Sequence, residues 1–153
     1  MKVNVRFCSF RSGSVLLLAL VLSGCAIRSA PPAGGPGAAL APAAIERFLD
    51  LARERDYVQM GWVFGNQKGP IVRQHPEGEV EKRMYALAHV LQNDSYVVGR
   101  ENPVPGRLGS AVRFDVTLTR GNRTIEVPVV VVRGPDSRWF VELIDVEAVT
   151  SLR

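Results

Sequence analysis

The sequence predicts an α+β fold, with N-terminal helices packed on a curved antiparallel sheet of about four strands, a cone-shaped roll. Three observations carry this. Between Pro42 and Leu91 the apolar residues recur at helical spacing. Beyond Asn93 the pattern changes to strict alternation, most plainly at Val112, Phe114, Val116 and Leu118 against Arg113, Asp115, Thr117 and Thr119. Turn residues at Gly121-Asn122 and Gly134-Pro135-Asp136-Ser137 then divide the C-terminal half into hairpins. Helices followed by a meander of strands is an α+β plan.

Each element has its own signal. Pro42 suits the first turn of a helix, where its missing N–H costs nothing. Ile45, Phe48, Leu49 and Ala52 follow at i, i+3, i+4 and i+7, and the charged residues up to Asp56 lie mostly opposite. Tyr57 to Phe64 reads as a shorter helix stopped by Gly65. Asn66 to Pro70 is a loop. A third helix is expected from Pro76-Glu77 to about Asn93. Its early acids face the positive end of the helix dipole, and Val80, Met84, Leu87, Ala88 and Leu91 form its buried stripe. The expected strands are Ser95 to Glu101, the alternating run ending near Thr119, Arg123 to Arg133, and Arg138 to Val149. In the last of these the apolar parity switches between Leu143 and Ile144, so a bulge near Leu143–Asp145 is expected. Val127 to Val132 is apolar on both faces, and Pro128 within it cannot donate to a ladder. The outer face around Val130 and Val132 therefore needs a cover, either a second copy of the chain in a homodimer or the chain's own C-terminal segment.

The first residues do not belong to this fold. Met1 to Ser14 carries Lys2, Arg6 and Arg11 without an acid, and Val15 to Leu22 is an unbroken apolar run. That run is far shorter than the roughly 20 residues of a spanning helix, but it suits the core of a signal peptide. Leu22-Ser23-Gly24-Cys25 ends it. This tetrapeptide resembles the lipobox of bacterial lipoproteins. The resemblance implies a signal peptide over 1–24, cleavage before Cys25, and diacylglycerol and palmitate-type acyl chains on that residue. Two or three acyl chains anchor a protein stably where one does not. Ala26 and Ile27 after the cysteine, in place of an Asp, resemble the pattern that sends such proteins to the outer membrane of a two-membrane cell. The expectation is therefore a lipid-anchored domain on the extracytoplasmic side of the cell membrane or outer membrane.

Residues 25–41 read as the lipidated cysteine and a flexible tether, since the stretch is rich in Pro, Ala and Gly and has no apolar face. Residues 42–153 form the folded domain. With the leader removed, sixteen basic residues oppose fifteen acidic ones, interspersed along the chain, so no electrostatic case for nucleic acid exists. Cys8 leaves with the leader, and a lipidated Cys25 leaves no thiol for a disulfide.

Over 42–153 the chain also resembles the nuclear transport factor 2-like superfamily, which includes ketosteroid isomerases. The resemblance rests on a first helix ending in Arg55-Asp56-Tyr57, a short second and longer third helix, a meander, and a closing stretch Arg138 to Asp145. It implies a pocket between the helices and the concave sheet face, but no particular activity.

Chemistry is sparse. His75 and His89 lie far apart with no cysteine near, so no metal or cofactor site is expected. No Gly-x-Ser-x-Gly elbow or phosphate-binding glycine loop is present. Tyr57, Trp62, Tyr85 and His89 are the candidate pocket-lining residues, with the Met60–Gly65 run a rim or plug. Two functions remain open: a non-catalytic module that binds a ligand or protein, or a small isomerase- or cyclase-like enzyme with His89 or a carboxylate as its base.

Overall fold

Leu40 is extended, and Pro42 lies in the first turn of helix α1 (Ala41–Glu54), whose inner face is Ala41, Ala44, Ile45, Phe48, Leu49 and Ala52. The computed structural model describes residues 30–31 and 33–150; Cys25 and its leader lie outside the described residues. Helix α1 ends with Arg55 in the left-handed region (φ 60°), its N–H bonded to the Ala52 carbonyl and that of Asp56 to Leu51. This is a Schellman closure with arginine where glycine is usual. Asp56 then caps α2 (Tyr57–Val63) by accepting from the Gln59 N–H at 3.0 Å.

The predicted loop after α2 contains a small hairpin, β1 (Gly65–Asn66) with β2 (Gly69–Pro70), and a 3-10 turn over Ile71–Arg73. Gln74 ties it together, donating to Asn66 Oδ1 and to the Gly69 carbonyl. Helix α3 (Glu77–Val90) begins as expected and buries Val80, Met84 and Ala88, while Leu87 is only half-buried.

Four strands follow in the order of the chain: β3 (Ser95–Pro103), β4 (Ala111–Arg120), β5 (Arg123–Arg133) and β6 (Trp139–Ile144), all antiparallel. The fold class is thus α+β, with helices on one face of a four-stranded antiparallel sheet. Val112, Phe114, Val116 and Leu118 of β4, with Val127, Val129 and Val131 of β5, meet α1 in one core. Gly121-Asn122 makes the two-residue turn between β4 and β5, with Gly121 at φ 56°.

Three expectations need correction. The last strand stops at Ile144 rather than Val149. Asp145 accepts from the Glu147 N–H (3.2 Å), and the chain turns into the short helix α4 (Glu147–Thr150). The extra residue of the β5–β6 ladder is Glu142, since Val131 faces Val141 while Val130 faces Leu143. This bulge lets Val141 and Ile144 both reach the core and leaves Leu143 59% exposed. β3 likewise continues past Glu101 to Pro103, across an irregularity between Val98 and Glu101. Pro128 is accommodated because its carbonyl accepts from Asp145 just where β6 has ended, so its nitrogen faces no ladder partner.

The tether boundary also shifts. Gly37 N–H donates to the Trp62 carbonyl, and Ala38 exchanges both backbone hydrogen bonds with Trp139 on the free edge of β6. Phe64 bridges the same edge at Val141. The edge is thereby blunted by the chain's own segments. Glycine is obligatory at 37: φ is 59°, and a Cβ there would lie 2.6 Å from the Trp139 oxygen and 2.9 Å from the Phe140 ring. The segment from Ala33 to Ala38 is therefore a strap docked on the fold, not a spacer. It also bears on the outer sheet face. Val132 is fully enclosed, with Ala111 and Phe140 as its cross-strand neighbours and Gly37 and Gly134 against the Phe140 ring. The expected homodimer surface is reduced to half-buried Val130 and its exposed neighbour Leu143.

Candidate functional site

The space between the helices and the inner sheet face is not a pocket. Ile45, Phe48, Leu49, Leu91, Val116 and Ile144 fill it and leave about 10 Å³, too little for a ligand. Among the described residues no polar or charged side chain is buried. The candidate residues lie elsewhere.

Tyr57, Tyr85 and His89 come together on an open cleft of about 660 Å³ between the C-terminal ends of α1 and α3 and the end of β4. The Tyr57 and Tyr85 rings meet edge to face with centroids 5.4 Å apart. Tyr85 and His89, one helical turn apart, lie nearly parallel at 6.3 Å and 16°. Tyr85 is 56% exposed. Trp62 is not part of this group. It is buried beside the strap, with the Arg73 guanidinium 5.4 Å over its ring.

Sequence reading missed the cleft's charge. Arg53 and Arg55 come from the end of α1, and Arg120 from the end of β4. Arg53 holds a loose pair with Asp50 at 3.8 Å. Arg55 and Arg120 make no side-chain hydrogen bond or ion pair among the described residues. Asp94 is the one carboxylate lining the cleft, and it accepts from the Gly121 N–H at 2.7 Å. Asn93 uses its amide N–H₂ on the Leu91 carbonyl (2.8 Å), and its Oδ1 is buried without a donor. The left-handed Arg55 was invisible in sequence, because arginine carries no turn signal.

Behind the cleft, Tyr96 of β3 donates to Asp50 Oδ1 at 2.9 Å. Burial, then the hydrogen bond to Asp50, pushes its phenol up to about 12. A second concavity of about 550 Å³ lies on the other side of Arg120, against Leu118, Ile125 and Val149. Glu142 forms a bidentate pair with Arg107, whose guanidinium is raised above its ordinary value by that hydrogen bond. No three His, Cys, Asp or Glu residues cluster as a metal site among the described residues, and no helix there is long and apolar enough to cross a membrane. No protein-family profile matches the chain, and no curated protein matches it significantly.

Proposed function

We propose that this protein is a lipid-anchored, non-catalytic binding module of the bacterial cell envelope, held on a membrane through Cys25. One observation carries the non-catalytic part. The crevice where this architecture would place an acid or base is packed with aliphatic and aromatic side chains, and the concave surface that remains is outside. A base on an exposed cleft works in water, without the desolvation that tunes catalytic carboxylates and histidines. The nuclear transport factor 2-like reading belongs to this proposal, supported by the order of three helices and a four-stranded meander.

The anchor is supported by the Leu22-Ser23-Gly24-Cys25 motif after its apolar run. The strap sharpens it. Ala33 is already bound to the fold through Arg47 Nη2 at 2.7 Å. The nine residues from Cys25 to Ala33 span at most roughly 30 Å when fully extended, so the domain sits close to the bilayer surface. Intact-mass spectrometry of the protein extracted from its native membrane tests the anchor. A mature chain starting at an acylated Cys25 is expected; a bare thiol or a retained leader contradicts it.

A further inference from the structure

The exposed cleft combines features that share one kind of ligand. Three guanidiniums face it against one carboxylate that is already committed to a backbone N–H. Arg53 and Arg55 have an ordinary explanation, since cations near a helix C-terminus interact well with its dipole. Arg120 does not; it arrives from the sheet. Arg55 and Arg120, without a side-chain partner among the described residues, are available to a carboxylate or phosphate, which guanidiniums bind through paired N–H groups. The Tyr85 and His89 rings offer an exposed flat shelf beside them.

From this juxtaposition we infer that the cleft is a binding site for an acidic saccharide: a sugar ring whose apolar face lies on Tyr85 and whose carboxylate meets Arg55 and Arg120. The inference rests on the reading of the protein as an envelope binding module, because it needs an exported domain that meets charged glycans. An acidic peptide would satisfy the arginines but would leave the exposed Tyr85 ring unexplained.

Isothermal titration calorimetry on the natively processed protein in nonionic detergent tests it, with trigalacturonate as probe, maltotriose as the neutral control and triaspartate as the charge control. Trigalacturonate is expected to bind saturably, at least about tenfold more tightly than either control. About 0.5 M salt weakens that binding in the unmodified protein, since the contacts are exposed. The paired substitution Arg55→Ala and Arg120→Ala weakens it by at least about tenfold at unchanged thermal midpoint, and Tyr85→Ala weakens it as well. Equal binding of triaspartate or of maltotriose, a salt-insensitive isotherm, or no saturable heat overturns the inference. The intact mass of the same preparation reports the anchor separately, so a flat isotherm on an acylated protein removes the ligand class and leaves the envelope reading standing.

Discussion

Two groups of arginines divide this molecule. At the strap end, Arg47 donates to the carbonyls of Ala33, Gly35 and Gly37, and Arg138 to those of Gly34, Pro36 and Gly37. Each guanidinium donates to three backbone carbonyls, and burial, followed by the neighbouring Arg138 charge, holds Arg47 below its ordinary value. At the cleft end, Arg55 and Arg120 bind nothing within the described chain, and Arg53 only the edge of Asp50. The same residue type thus closes the fold at one end and is left available at the other. The difference lies in what backbone comes near. Gly34, Gly35 and Gly37 adopt positive φ and gather their carbonyls within reach of two arginines. At the cleft end the carbonyls of Leu51, Ala52, Leu87 and Leu91 are already taken by Asp56, Arg55, Leu91 and Asn93.

The largest effect expected from this contrast is at the strap. Phe140 is buried beneath Gly37 and Gly134, so Phe140→Ala should cost about 3–5 kcal/mol in urea denaturation. Arg138→Ala removes three charge-assisted hydrogen bonds and is expected to cost about 2 kcal/mol. Arg120→Ala, measured in the same way, should stay within about 0.5 kcal/mol of the parent. Equal losses at positions 138 and 120 would erase the distinction between the two ends.

Arg55→Gly is expected to stabilise the protein by up to about 1 kcal/mol, since glycine accepts the left-handed closure of α1 without strain, while it weakens whatever the cleft holds. A gain in thermal midpoint together with a loss of ligand would place the strain of Arg55 at the cleft rather than in the fold.

How much of this was legible in sequence follows physical lines. The spacing of Ile45, Phe48, Leu49 and Ala52 placed α1, and the alternation from Val112 to Leu118 placed β4, because burial of one face imprints a period on the chain. The strap left no such imprint. A glycine- and proline-rich stretch reads as a spacer, and only a fold that brings Arg47 and Arg138 beside it turns its carbonyls into partners. Of the candidate site residues, Tyr57, Tyr85 and His89 line one cleft, on the outside of the helices rather than between helices and sheet. Arg120 joins them from the end of β4, a meeting that only the tertiary fold specifies. Trp62 was grouped with them as an aromatic residue, and it is buried under the Arg73 guanidinium instead, with its carbonyl accepting from Gly37 of the strap.

The smallest effect concerns pH. Tyr96 keeps its proton in the folded protein up to about 12, against an ordinary value of 10.0. As pH rises through 10 the unfolded chain loses that proton first, so stability falls between 10 and about 12 and levels off above. Tyr96→Phe should flatten that segment of the stability curve. Because the phenol also holds Asp50 beside Arg53, the same variant is expected to loosen the α1 wall of the cleft and leave the strap unchanged.

The central claim is that the folded body begins within the strap and that its docking is part of the fold. Native-state hydrogen exchange at the Gly37 and Ala38 amides tests it most directly, since these donate to the Trp62 and Trp139 carbonyls. Protection comparable to that of Val141 in β6 is the expected result. Exchange of both amides at the rate of an unstructured peptide would contradict it.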